Sequence, residues 1–398
     1  MKIYTAKADV SAAKRVVADD MILTKDMPTA AGSRMLDGYM SLFEAEALTR
    51  LRESGYGVAG KCDVGEFAID LVGETSYNGA PTKDGKLVSA AAEAVASGEA
   101  EAAIALDVNG YPRRAAAQSG LVSVKATYGT VSRYGTVPVA CSGETVSVIA
   151  KSASECREVL SAIAGHDEKD GTSHPDELCA KVKEQGIAPR RVALLKSMTK
   201  GADADVLAKL DAAVRAFEAQ GVEVCEIDDD VICLARPAWN ILMSAELCNN
   251  VSRYDGVKYG YRAQNFSGID ELYTNSRTEA FGELLKTAII YGSETLSTDN
   301  YMKVYDKALR VRRVIVEAFA KIFADFDAVL MPACSALAYT ENMVVADKYI
   351  AFTENFYTAP ASITGLPAVV AGGVQLIGAA FTDASLLSAA EILSGEGK

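Results

Sequence analysis

The chain has only two histidines, His166 and His174, and both lie in one polar stretch. A Ser-His-Asp or Cys-His site, or a histidine-rich zinc site, would have to be built from that single loop. Both histidines read as exposed loop residues among Asp, Lys, Gly and Ser, so a hydrolase of this sequence needs a different base. The eight cysteines never stand at C-x-x-C spacing, which leaves a zinc knuckle or redox pair without support. Asp228-Asp229-Asp230 reads as a solvated turn rather than a metal site. Two segments crowd small residues together. The first, 89–98 (SAAAEAVASG), opens on Ser89 and reads as an alanine-rich helix that another backbone can approach closely. The second, 107–114 (DVNGYPRR), holds Asn109-Gly110, either an ordinary turn or one that aims backbone N–H groups at a ligand. Cys141-Ser142 could supply a substitute nucleophile only with a depressed thiol pKa, and no base stands beside it. Trp239, the only tryptophan, reads as packing at a helix edge; stacking on a substrate is the minor alternative.

Helices that end at glycine and short apolar strands must position these residues. The pattern 44–54 stops at Gly55, before Gly57-Val58-Ala59-Gly60. The pattern 202–220 repeats Val206, Leu207, Leu210, Val214 and Phe217 on one face, stops at Gly221 and gives way to Val222-Glu223-Val224. A long amphipathic stretch, 301–323, precedes the strand-like run 328–332 (AVLMP). Glycine after the last periodic residue supplies the left-handed cap, so these stops have a mechanism. Helix alternating with short buried strand predicts an α/β sheet protein. Residues 165–189 read as an exposed loop with a short helix, a seam within one large domain spanning 1–398. A net charge of −13 argues against direct nucleic-acid binding, which needs a basic footprint. Residues 1–20 contain no apolar h-region and nowhere do 18 apolar residues run consecutively, so no signal peptide or membrane association is expected and the chain reads as cytoplasmic.

Several longer runs carry a resemblance. They are 20–25 (DMILTK), 33–36 (SRML), 60–68 (GKCDVGEFA), 74–77 (ETSY), 126–135 (ATYGTVSRYG) and 162–167 (AIAGHD), followed by 252–262 (SRYDGVKYGYR), 365–368 (GLPA) and 381–387 (FTDASLL). The chain resembles the amidase signature family, and the 252–262 run is similar to the A subunits of the glutamyl-tRNA(Gln)/aspartyl-tRNA(Asn) amidotransferases rather than to amidases generally. The resemblance implies an amidase-signature α/β fold, a mixed sheet covered by helices on both faces. It also implies a Ser–cis-Ser–Lys triad that needs no histidine, no cofactor and no metal. In such a triad a lysine relays the proton to and from the nucleophilic serine, and backbone N–H groups of a glycine-rich loop hold the oxyanion.

Matched residue by residue, that machinery is altered. The lysine of the family's K-D-N pattern falls on Asp19, with Asp20 and Met21 after it. Counting back from Gly98-Glu99-Ala100, the serine-rich loop becomes 85–91 (GKLVSAA), which puts Leu87 at the cis-serine. The nucleophile's D-T-G-G-S-I-R becomes 107–113, with Asn109 and Gly110 in the oxyanion loop and Tyr111 at the serine. Leu87 has no proton to relay, and a phenol with a pKa of about 10 is a poor nucleophile on a bulky ring. In the family the arginine matched by Arg113 is structural; an anion site with the Gly110 N–H is the alternative. An arginine and an aspartate that clamp glutamine in the family fall on Ala288 and Asn355, which removes a bidentate contact and its charge partner.

All five matched functional positions differ while neighbouring motifs persist, the pattern expected of relaxed selection on the site. The family's stretch after T-S-Y is shortened to 78–84, the loop after G-L-P-A is clipped, and only 1–18 precede the K-D-N position. The expected function is therefore a pseudoamidase retained for binding, assembly or regulation. B- and C-type amidotransferase subunits, or a second copy of the chain, are its natural partners. The alternative is an active glutaminase subunit that supplies ammonia for tRNA-dependent amidation.

Overall fold

The computed structural model describes residues 2–396. Thirteen strands occur among them: β1 (Tyr4–Lys7), β2 (Lys14–Asp19), β3 (Tyr56–Cys62), β4 (Thr82–Lys83), β5 (Lys86–Leu87), β6 (Ala102–Asp107), β7 (Val122–Lys125), β8 (Thr145–Ala150), β9 (Arg191–Leu195), β10 (Glu223–Ile227), β11 (Ala328–Pro332), β12 (Ala368–Ala371) and β13 (Val374–Gly378). Eleven of these form one mixed sheet in the order β1-β3-β2-β6-β8-β7-β12-β13-β11-β9-β10, while β4 and β5 make a separate hairpin. β2 runs parallel to both β3 and β6, and β9 parallel to both β10 and β11; the strands between β6 and β11 pair antiparallel. The expected α/β fold, a mixed sheet covered by helices, is what forms. Strands β6, β7, β8, β11, β12 and β13 are buried at every residue; β6, β11 and β12 accordingly read as near-continuous apolar runs, while β7 (VSVK) alternates although both its faces are covered. Among the described residues no helix is long and apolar enough to cross a membrane.

The glycine stops hold to within a few residues. Two of the expected helices run Glu46–Glu53 and Ala204–Ala219, with Gly55 and Gly221 in the left-handed region beyond them. The long amphipathic stretch begins with a π-helical turn, Tyr301–Tyr305, before the α-helix Asp306–Ile322. The 165–189 segment joins the Ala153–Ile163 helix to β9, and strands from before and after it lie side by side where β7 pairs with β12. His166 is exposed as expected. His174 is only half-exposed, because its ring meets Phe381 edge-on at 5.1 Å and its backbone N–H donates to the Gly129 carbonyl.

Two features of this topology position the site. β2 and β6 are parallel neighbours, so their carboxyl ends, Asp19 and Asp107, finish at the same edge of the sheet. The chain then turns through Gly110, at φ 88°, into the helix Tyr111–Ser119, which has Pro112 in its first turn and stops at Gly120.

Candidate functional site

Asp19 is completely buried at the end of β2, and Tyr111 is 1% exposed at the start of its helix. The Tyr111 hydroxyl donates to Asp19 Oδ2 at 2.5 Å. The same carboxylate accepts from the Leu106 N–H at 2.9 Å and, through Oδ1, from the Met21 N–H at 3.0 Å. Burial pushes the Asp19 carboxyl up, while the Tyr111 hydroxyl, the two amides and the charge of Lys61 oppose the rise. Burial and the adjacent carboxylate hold the Tyr111 phenol well above its ordinary range, so it remains a hydrogen-bond donor. Lys61, on β3, is also fully buried. It donates to the Ile22 carbonyl and to Thr29 Oγ1, and lies 3.5 Å from Asp20 Oδ1. Burial lowers the lysine and raises Asp20 to about 6.

Leu87 is 2% exposed, and its N–H donates to the Tyr339 carbonyl at 2.8 Å. Tyr339, also buried, sends its hydroxyl to Glu354 at 2.5 Å, so a segment from the far end of the sequence lies over the β4–β5 hairpin. Both ends of the Asn109 amide are engaged by protein groups. Its Nδ2 donates to the Ile69 carbonyl at 2.8 Å, and its Oδ1 accepts from Trp239 Nε1 at 3.3 Å and Asn355 Nδ2 at 3.0 Å. Asn355 in turn reaches Asn240 Oδ1 at 2.6 Å. At Gly110 the backbone conformation excludes most side chains, and a Cβ there would overlap Thr358. Thr358 thus seals the turn, and its hydroxyl bonds the Asn109 carbonyl at 3.2 Å. Ala288 is buried on the helix Glu283–Thr295, which packs against the helix Ala235–Val251.

The remaining candidates resolve in the same way. Arg113 uses all five of its N–H donors on Asp107, the Thr358 carbonyl, Gln375 and Ser362, at 2.7 to 3.0 Å. No donor is left for an anion, which overturns the alternative of an anion site at Gly110. Ser89 is buried and caps the helix Ala90–Ala96 by accepting from the Ala92 N–H. Burial raises the Cys141 thiol, the opposite of what a nucleophile requires, and Ser142 is held by Glu246 and Arg312. Trp239 corrects the expectation of a helix-edge residue. It is completely buried, its ring lies where a Gly143 Cβ would stand, and its N–H reaches the Asn109 turn.

The profile of the Amidase family matches residues 17–387. The chain belongs to that family. It is 35% identical to the glutamyl-tRNA(Gln) amidotransferase A subunit of Lachnoclostridium phytofermentans, over 95% of this chain and 82% of that protein. Identity to the corresponding A subunit of Streptococcus pneumoniae strain Hungary19A-6 is also 35%, over 93% and 80%. The crystal structure of the Thermotoga maritima glutamyl-tRNA(Gln) amidotransferase A subunit superposes with a TM-score of 0.80 at 26% identity, covering 98% of this chain and 87% of that one. This amidase-family chain is thus similar to those amidotransferase proteins along nearly its whole length. The residues that sequence reasoning missed, Asn240, Tyr339 and Thr358, all reach the site by long-range contact. Nothing local in the sequence signals them.

Proposed function

We propose that this chain is a non-catalytic member of the amidase family that acts through binding, assembly or regulation. The observation that carries this reading is the 2.5 Å hydrogen bond between Tyr111 and Asp19, the residues matched to the nucleophilic serine and its lysine. With both side chains buried and Leu87 at the cis-serine, the site offers neither a free nucleophile nor a base in contact with one. Ala288 and Asn355 stand where an arginine and an aspartate would clamp glutamine. Asn355 bonds Asn109 and Asn240 within the protein, so its donors are already engaged. The likeness to the amidotransferase proteins makes B- and C-type subunits the first partners to test, with self-association second. Any connection to tRNA then runs through such a partner, since this chain carries a net charge of −13.

Ammonia release from glutamine, measured on the purified chain by itself and with those subunits, tests the reading. No turnover above buffer is expected. Turnover that is lost in Tyr111→Phe or Asp19→Asn would mean that the altered residues are catalytic and the reading is wrong. Co-purification from the native cell tests the binding role, which fails if the chain captures neither type of partner and stays monomeric.

A further inference from the structure

Away from the Asp19–Tyr111 pair lies a cavity of about 360 Å³, a size that admits a small organic molecule. Its walls include Leu284, on the helix Glu283–Thr295, with Val344 and Val345 on the short helix Glu341–Ala346. That short helix buries none of its own side chains, and Val345 is 78% exposed at the cavity's edge. The same cavity is lined by Glu66, which is only 4% exposed.

Glu66 is held in place firmly. One carboxylate oxygen accepts from Ser33 Oγ at 2.6 Å and the other from the Gly282 N–H at 2.8 Å. The next two residues, Phe67 and Ala68, both have positive φ (53° and 56°), a conformation that side chains other than glycine adopt at a cost. Both of the Glu66 donors are neutral, and no cation among the described residues forms an ion pair with it. Lys286, one turn into the helix, donates to the Thr278 carbonyl at 2.6 Å. Lys348 at the rim bonds both oxygens of Glu283 at 3.1 Å, so that pair cancels its own charge. Behind the Glu66 turn, Asp70 accepts from Thr75 and is pushed well up by burial. A buried carboxylate is ordinarily paired with a cation in contact; here the groups in contact are neutral donors, and the Lys286 charge acts on Glu66 without bonding it.

We propose that this cavity binds a small primary amine with an apolar body, its ammonium on Glu66 and its body against Leu284, Val344 and Val345. This inference is independent of whether the chain hydrolyses amides. Burial raises the Glu66 carboxyl to about 7, against the pull of Ser33, Gly282 and Lys286. A carboxyl titrating there is about nine-tenths ionised at pH 8 and one-tenth at pH 6, so amine binding should weaken about tenfold between the two.

Benzylamine and its neutral analogue benzyl alcohol, titrated calorimetrically into the full chain at both pH values, make the test. Benzylamine should bind at least tenfold more tightly than the alcohol at pH 8 and lose about tenfold at pH 6. Glu66→Gln should remove the preference for the amine. Val345→Trp fills the cavity from an exposed position that the fold does not depend on, and should abolish binding of both. Equal binding of the two probes, binding that survives Val345→Trp, or no binding of benzylamine at millimolar concentration overturns the proposal.

Discussion

A double-mutant cycle on Tyr111 and Asp19 tests the interaction on which the reading of the site rests. Asp19 has three donors: the Tyr111 hydroxyl, the shortest at 2.5 Å, and the amides of Leu106 and Met21. Tyr111→Phe removes one donor while two remain, so the loss should be near the value for one hydrogen bond to a charged group, about 2 kcal/mol. Asp19→Asn removes the charge and turns an N–H₂ group toward a neighbouring donor, at a similar or somewhat larger cost, roughly 2–3 kcal/mol. The two losses should not add. Once either partner is gone the bond is gone, so the double mutant should recover about 1.5–2 kcal/mol of coupling. Urea unfolding followed by the fluorescence of Trp239, the only tryptophan, reports directly, because its indole N–H bonds Asn109 two residues from Tyr111. Circular dichroism on the same samples gives the global transition. A coupling below about 0.5 kcal/mol would show that the two side chains do not act as a unit, and the argument that they replace a serine–lysine pair by a packed one would fail.

Three other outcomes are expected. Restoring the family's residues together (Asp19→Lys, Leu87→Ser, Tyr111→Ser) should give no measurable ammonia release from glutamine, because the Asn355–Asn109–Trp239 contacts and Ala288 are untouched; robust turnover would show that the rest of the site is intact. Asp107→Asn leaves the buried Arg113 without its bidentate partner and should cost about 3–5 kcal/mol by denaturant unfolding, whereas a loss under 1 kcal/mol contradicts the structural role given to Arg113. Folded Glu66 keeps its proton up to about 7, but the unfolded chain releases it near the ordinary value of 4.5, so the folded state holds more protons between these values. Stability should therefore fall as pH rises through that window, by roughly 3 kcal/mol at most from this group, and Glu66→Gln should flatten the slope; an unchanged slope rules out Glu66 as its source.

Much of the frame was legible along the chain because its causes are local. Gly55 and Gly221 mark helix stops through left-handed caps, whereas the helix after β6, between Gly110 and Gly120, was not read along the chain. The scarcity of histidine and the residues at positions 19, 87, 109, 110 and 111 could likewise be read without coordinates. The burial of β11 could be read from its apolar run, but not its place in the sheet. Trp239 shows where such reading stops: its helix was legible, yet its complete burial depends on the Gly143 backbone and on Asn109, 130 residues away. The fate of Arg113 is similar, since three of its partners, Thr358, Ser362 and Gln375, lie some 250 residues downstream. The sequence by itself determined which residue types stand at the matched positions, and hence that histidine chemistry is absent there. Only the tertiary structure decided that Asp19 and Tyr111, 92 residues apart, bond to each other. The physical reason is the adjacency of β2 and β6, parallel strands whose carboxyl ends meet at one edge of the sheet, and no local propensity encodes that pairing.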